Sequence, residues 1–279
     1  MTKVPFMKYH GAGNDFVLID LCHFAPCRDA PALARFVCDR RHGVGSDGLL
    51  LLLPSNTADY QMRIFNADGS EPSMCGNGIR CCASYILKYK SSLSELAIET
   101  RHAILKCKKL GDEIVVNLGL PEILHWPIQL EETALFVVNT GVPHAVIFVD
   151  DLDEIAVGKW GRQIRSHPCF APHGVNVNFV SVSEEGKVAL RTYERGVEAE
   201  TLACGTGAAA AAFVAMKVKH LVPPIPILTR SSFASPKVSY HQQIRFFFPG
   251  KDKGGCAIEM VGNAKEVFEG SIDLTKFAY

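Results

Sequence analysis

Apolar residues in this chain come mostly in short runs separated by polar breaks. Strand-like runs fall at "FVLID" (16–20), "DGLLLLL" (47–53), "LAIET" (96–100), "EIVVNL" (113–118), "FVVNTG" (136–141), "HAVIFVD" (144–150), "VNVNFVSV" (175–182), "IRFFF" (244–248) and "CAIEMV" (256–261). In the run that begins at Tyr60, the residues Tyr60, Met62 and Ile64 share one face, the period-two signature of a half-buried strand. Helical spacing is confined to four stretches, about 29–41, 76–90, 151–164 and 205–218. In the second of these Ile79, Cys82, Ala83, Ile86 and Leu87 recur on one helical face. The last is alanine-rich and apolar nearly all round, which predicts a helix covered on every side. Two proline-rich stretches, "LPEILHWPIQ" and "VPPIPIL", predict loops or sheet edges, because proline cannot donate to a ladder.

One order of features occurs twice. "SMCGNGIR" (73–80) and "LACGTGAA" (202–209) each follow a strand-like run, a turn at glycine (Gly69 or Gly196) and a polar loop, and each leads into a helix. Two repeats are too few for a solenoid, so a pair of similar domains is expected. Strand-heavy halves with one buried helix each predict an α+β fold of two pseudo-symmetric domains with mixed or antiparallel sheet. The proline-rich stretch near residue 120 sets the boundaries: 1–120 with 263–279 carrying Cys75, and 121–262 carrying Cys204.

Composition narrows the function. A length of 279 residues suits about two domains. The 29 basic and 29 acidic residues cancel, which argues against nucleic acid or an anionic membrane as the main partner. The opening "MTKVPFMKYHGAGND" has no apolar signal core, and no run approaches the ~18 apolar residues of a membrane span, so a cytoplasmic protein is expected. Ten cysteines in such a chain are expected as thiols, most of them small buried hydrophobes. With no C-x-x-C pair and no zinc-finger histidine spacing, no metal is expected.

Cys75 and Cys204 stand apart because each opens a helix. Backbone N–H groups are unpaired there and the helix dipole is positive, which favours a thiolate. Flanking glycines let a ligand approach the backbone, so the N–H groups of residues 76–78 and 205–207 can hold a carboxylate. Paired cysteines of this kind suit inversion of a carbon stereocentre: one sulfur removes a proton from one face and the other returns a proton to the opposite face. Helix-end donors stabilise the charge that develops on the carboxylate. This chemistry calls for no cofactor.

The segments "HGAGNDF" (10–16), "RHGVGSDG" (41–48), "RIFNADGSE" (63–71), "CGNGIRC" (75–81), "YERGVEAET" (193–201) and "ACGTGAAA" (203–210) together resemble diaminopimelate epimerase, in order and over nearly the whole chain. The resemblance implies a cofactor-independent isomerase that interconverts LL- and meso-diaminopimelate for lysine and peptidoglycan synthesis. It implies two similar domains, each a sheet wrapped around a central helix. It also implies an amino acid as the small-molecule partner, and it leaves a homodimer open. Carried over by position, Cys75 and Cys204 are the acid–base pair, and His144 and Glu194 tune the two thiols. Gly76, Asn77, Gly205 and Thr206 meet the reacting carboxylate, with threonine where the family places serine. Asn14 holds the reacting end, and Asn66, Asn176, Glu194 and Arg195 hold the distal end. Taken singly these residues have plainer readings. Asn14 and Asn66 suit turns, Asn176 with Asn178 suits an exposed strand face, Glu194–Arg195 suits a surface pair, and His144 suits a loop. Cys81 and Cys82 are assigned to helix packing, and Asp47 to a turn cap.

Two positions depart from the family pattern. Gly48 stands where the family usually carries glutamine, and Val142 where it usually carries asparagine. Both remove a side-chain amide, which predicts looser selection at the distal end, with glutamate the simplest further substrate. Three other readings compete. A proline racemase-like enzyme also pairs cysteines, but Glu194 and Arg195 have nothing to meet on proline. A cysteine hydrolase would need only one cysteine with His144 as base. An amino acid-binding protein would use the same residues without chemistry.

Overall fold

The computed structural model describes residues 3–24, 27–72, 74–201, 204–229, 244–249 and 256–273. Ser73, Leu202, Ala203 and the stretch 274–279, which belong to the motifs and boundaries above, lie outside them. The chain divides into two compact units, residues 1–116 with 262–279 and residues 117–261. Unit 1 contains β1 (Lys3–Gly11), β2 (Asn14–Asp20), α1 (Ala30–Cys38), β3 (Gly48–Leu53), β4 (Tyr60–Asn66), α2 (Gly76–Tyr89), β5 (Glu95–Glu99) and β6 (Ile104–Leu110), with β7 (Glu113–Asn117) at the boundary. Unit 2 contains β8 (Glu122–Leu130), β9 (Thr133–Asn139), β10 (Pro143–Phe148), α3 (Val157–Arg165), β11 (Asn176–Val182), β12 (Val188–Glu194), β13 (Ala199–Thr201), α4 (Gly205–Val218), β14 (Ile225–Leu228) and β15 (Ile244–Phe247). The chain then passes through β16 (Glu259–Asn263) and returns to unit 1 in β17 (Lys265–Asp273).

Each unit repeats the other's topology. In unit 1 the pairs β17–β1 and β1–β2 are antiparallel, β2–β3 parallel, β3–β4 antiparallel, β4–β5 parallel and β5–β6 antiparallel. In unit 2 the pairs β8–β9, β9–β10, β10–β11, β11–β12, β12–β14 and β14–β15 follow the same order of senses. The helices fall at the same places in this order. Helix α2 touches all of β1 to β6 and α4 touches β9 to β12 and β14, so each is the central helix of a curled sheet. Helix α1 covers the outer face at β2–β4, and α3 covers it at β11–β13.

The sequence explains this two-sided packing. Strand β3 reads "GLLLLL" because both of its faces are covered. Leu49 and Leu51 pack with Leu33, Ala34 and Val37 of α1, while Leu50 lies beneath Gly78 of α2. In α4 the small side chains of Ala208–Ala212 and Ala215 are fully buried, which lets the strands close in around the helix. No helix among the described residues is long and apolar enough to cross a membrane.

Helix limits follow from capping. Asp29 accepts from the Ala32 N–H at 2.9 Å and starts α1. The helix stops at Cys38, short of the expected residue 41, because Asp39 takes the N–H groups of Arg41 and His42. Helix α3 starts at Val157, not near 151, because Asp151 accepts from the Asp153 N–H at 2.8 Å and closes a turn. The stretch expected as loop or edge around Pro127 is β8, paired with β9 and irregular in register between His125 and Ile128. The strands β1, β6, β13 and β17 add to those expected, and β14 falls in the stretch expected as loop or edge. Gly69 and Gly196 both turn the chain with positive φ, +87° and +93°.

Candidate active site

In unit 1, Cys75 is the N-cap of α2, with extended backbone and its Sγ accepting from the Gly78 N–H at 3.4 Å. The second glycine of the motif is required by packing. A Cβ at Gly78 would sit 2.9 Å from Leu50 Cδ2 and 3.3 Å from Ile64 Cδ1. Beside the cysteine runs an oriented chain of polar groups. Arg80 Nη2 donates to Asn77 Oδ1 at 2.6 Å, Asn77 Nδ2 donates to Asn14 Oδ1 at 3.2 Å, and Asn14 Nδ2 donates to Asp47 Oδ2 at 2.9 Å. The guanidinium at one end and the carboxylate at the other fix both amides, so the Asn14 oxygen lies toward Cys75, with Sγ to Oδ1 at 3.9 Å.

Arg80 is fully buried and also donates to Gly76 O at 3.1 Å and Asn263 O at 3.3 Å. Burial makes its guanidinium easier to deprotonate, against the pull of the neighbouring Cys81 and Cys75. At the far end Arg40 bridges Asp47 and Asp15, and buried Lys8 pairs with Asp15 at 2.7 Å. Burial alone would raise Asp15, but its bonds to Arg40 and Lys8 hold it well below the usual carboxylate range.

In unit 2, Cys204 is the N-cap of α4, is buried, and lies with its Sγ 3.5 Å from Thr206 Oγ1. His144 of β10 is fully buried. Its Nε2 is 2.9 Å from Thr206 Oγ1 and its Nδ1 is 3.1 Å from Asn178 Nδ2. Burial, then the positive charge of Arg195, push His144 down to about 3. Asn178 is fully buried. It also donates to Ala145 O at 3.1 Å and accepts from Thr192 Oγ1 at 3.0 Å. Asn176 donates to Pro143 O at 3.2 Å and accepts from the Arg195 N–H at 2.8 Å. Arg195 Nη1 rests on the carbonyls of His173 and Gly174. Glu194, half-buried at the end of β12, has its carboxyl pushed up by burial, with Thr201 acting against it.

The expected residues are therefore grouped within each unit. Asn14, Cys75, Gly76 and Asn77 form one group, and His144, Asn176, Arg195, Cys204 and Thr206 another. Asn66 stays apart, bonded to Ser70 Oγ at 2.9 Å in its turn. The reading of Asn176 and Asn178 as an exposed face is overturned, since both are buried where helix α4 covers β11. His144 lies in a strand and not in a loop. Cys81 and Cys82 are fully buried, as packing requires, but only five of the ten cysteines are buried and Cys169 is exposed. All ten are thiols outside disulfides. Among the described residues no three His, Cys, Asp or Glu side chains gather as a metal-binding group.

Sequence reasoning missed Arg80, Asn178 and Thr192, and gave Asp47 only a turn. Arg80 was in view inside its motif; nothing local marks the others. Gly48 leaves no open space. A Cβ there would meet Phe65 O at 2.9 Å and the Phe16 ring at 3.3 Å.

Comparison with known proteins gives the family and the fold. The family model for diaminopimelate epimerase matches residues 6–124 and 136–231. The diaminopimelate epimerase of Carboxydothermus hydrogenoformans is 41% identical over 81% of this chain and 88% of its own length. That of Archaeoglobus fulgidus is 35% identical over 99% of both chains. Among solved structures, a phenazine biosynthesis protein of the PhzF family from Bacillus anthracis superposes with a TM-score of 0.69 at 17% identity, over 98% of this chain and 100% of that one. A hydroxyproline epimerase from Agrobacterium vitis gives 0.66 at 16%, over 97% and 92%. These distant structures share the fold. The sequence matches go further: the chain belongs to the diaminopimelate epimerase family.

Proposed function

We propose that the protein interconverts LL- and meso-diaminopimelate by moving the Cα proton between Cys75 and Cys204, with no cofactor. The observation that carries this reading is the repeat. Each unit presents one cysteine as the N-cap of its central helix, in a chain of the diaminopimelate epimerase family. Inversion needs a base on one face of Cα and an acid on the other, and the two sulfurs exchange these roles with reaction direction. The Cα proton is a poor acid, so the reaction depends on stabilising the charge that moves onto the carboxylate. The N–H groups at Gly76, Asn77, Gly205 and Thr206 suit that task, since preorganised donors of this kind are typically worth about 10²–10³ in rate each.

For the rest of the substrate, the Asn14 amide suits the reacting end. Arg195 Nε and Nη2 have no hydrogen-bond partner among the described residues, which suits a bidentate bond to the distal carboxylate. Glu194 suits the distal ammonium, with Asn176 and Asn66 as further donors and acceptors. Gly48 and Val142 carry no amide, and on that ground the reading includes slow turnover of glutamate.

The test is hydrogen exchange. In deuterium oxide, LL- and meso-diaminopimelate should each gain deuterium at Cα and convert into the other. Cys75→Ala and Cys204→Ala should each abolish conversion; full turnover in either variant would end the two-base reading. Binding without exchange would leave a binding protein. Absence of exchange on both glutamate enantiomers would remove glutamate.

A further inference from the structure

The hydrogen bonds of unit 2 fix the tautomer of His144. Asn178 Nδ2 faces the carbonyl of Ala145, and Asn178 Oδ1 takes the hydroxyl proton of Thr192. The amide cannot be turned over without setting oxygen against oxygen. Its second N–H therefore points at His144 Nδ1, which must be an acceptor. The imidazole is then neutral with its proton on Nε2, and that proton goes to Thr206 Oγ1. Thr206 Oγ1 and Cys204 Sγ lie 3.5 Å apart and either can donate; with the imidazole proton taken up by the oxygen, the hydroxyl proton is available to the sulfur.

We infer that Asn178 is a positioning residue: through His144 and Thr206 it aims a hydroxyl proton at Cys204 Sγ, so that unit 2 is built to hold Cys204 as thiolate. His144 acts in the same way, through Thr206. At Cys75 the Gly78 N–H donates to the sulfur, and the side chain set beside it is the amide oxygen of Asn14, an acceptor, where Cys204 has a hydroxyl.

The ionisable groups of the elements around this network are few. Strand β10 contributes His144. Strand β12 contributes Arg191, bound to Glu200, and Tyr193, bonded to Glu198, and ends in Glu194 with Arg195 beyond it. Helix α4 has none before Lys217, and β9, β11 and β14 have none. Of these, the charge of Arg195 acts on His144 and favours its neutral form.

The inference rests on the reading of Cys204 as a proton-transfer group, but its test reads the sulfur and not the reaction. In full-length protein carrying isotopically labelled cysteine, the Cβ chemical shift of Cys204 is followed against pH. Thr206→Val removes the donor. Asn178→Asp replaces the amide donor by an acceptor, so that His144 turns its proton to Nδ1 and Thr206 donates to Nε2 instead. Each variant should raise the Cys204 midpoint by about one pH unit, roughly a tenfold loss of thiolate below it, the scale of one hydrogen bond to a charged group. Thr206→Ser, which keeps the hydroxyl, should restore the original midpoint, and the Cys75 midpoint should stay in place throughout. An unchanged Cys204 midpoint in folded Thr206→Val overturns the inference, as does a Thr206→Ser midpoint equal to that of Thr206→Val. Absence of Cα exchange in the parent protein, with these titrations as expected, would instead count against the proposed reaction.

Discussion

Replacing Gly207 by alanine tests how closely α4 is set against Asn178. Helix propensity favours the change by about 1 kcal/mol. Packing opposes it. The new Cβ would lie 2.4 Å from Asn178 Oδ1 and 3.4 Å from Asn178 Cγ. No carbon tolerates the shorter distance, so the amide must move. It is not a loose side-chain end: it is fully buried and bonded to His144, Ala145 and Thr192. Overpacking costs about 1–3 kcal/mol, and a buried polar group left unpaired costs about 1–3 kcal/mol more. After the propensity gain the net loss is roughly 3 kcal/mol. The two tryptophans of the chain, Trp126 and Trp160, both lie in unit 2, so their fluorescence in urea reports on the unit that is perturbed. Gly207→Ala should unfold at lower urea than the parent. The same change made in an Asn178→Ala chain should be neutral or stabilising, because the opposing oxygen is gone. Equal losses in both backgrounds would refute the reasoning, and so would an unshifted midpoint in the single variant.

Gly158, exposed on α3 with no heavy atom within 4 Å of a built Cβ, supplies the converse: Gly158→Ala should raise the urea midpoint by an amount worth about 0.5–1 kcal/mol. Arg80→Met removes a fully buried guanidinium and leaves Gly76 O and Asn77 Oδ1 short of a donor. A loss of about 1–3 kcal/mol for each acceptor left unpaired is expected, read as faster hydrogen exchange at α2 in unit 1. His144 binds its proton in the unfolded chain near pH 6.5 but in the folded chain only near about 3. Its neutral form is thus the folded form, and acid between those values favours unfolding by up to about 1.4 kcal/mol per pH unit. A His144→Gln variant should show a flatter dependence of unfolding on pH in that window. Asp15, held below the usual carboxylate range, contributes stability above that range that is lost as pH falls through its lowered value. Asp15→Asn should remove that acid-side loss.

What the sequence shows and hides follows from distance along the chain. Helix α4 begins and ends where the alanine-rich stretch does, and α2 falls one residue short of its expected end, because a cap, an apolar face and a C-terminal break are all local. The repeat was legible for the same reason, since each copy of strand, glycine turn, cysteine and helix lies within about 35 residues. Strand β17 was not legible. Val267 and Phe268 are solvent-exposed, so no alternation marks it, and its partner β1 lies at the other end of the chain. Strand β8 was legible only as a loop or an edge, because Pro127 is tolerated in an edge strand but not in a central one. At the site, the cysteines were found from their own motifs. Asn178 was not, because its role depends on His144 in one neighbouring strand and Thr192 in the other. Arg80 was not singled out, because nothing nearby in sequence says that Asn263 lies over it.

The topological repeat also shows what the buried polar network is not for. Under Gly78, β3 presents Leu50, whose partner on β4 is Ile64, and two residues before Leu50 on β3 Gly48 pairs with Phe16 of β2. Under Gly207, β11 presents Asn178, whose partner on β12 is Thr192, and two residues before it Asn176 pairs with His144 of β10. Three matched positions thus read Phe16, Leu50 and Ile64 in one unit and His144, Asn178 and Thr192 in the other. Unit 1 closes its sheet around its helix with apolar groups at all three, so the fold does not require polar ones. Burying an imidazole, an amide and a hydroxyl is costly unless every bond is made, and a well-packed apolar set is at least as stable. The network also consumes the space that Gly207 leaves open. What unit 2 has and unit 1 lacks at these positions is a line of hydrogen bonds that ends on its own cysteine through the third residue of the motif, Thr206 where unit 1 has Asn77. The two halves therefore share the scaffold that places a sulfur at a helix end, and they differ in the groups set beside it: the Gly78 N–H and Asn14 Oδ1 in unit 1, Thr206 Oγ1 in unit 2.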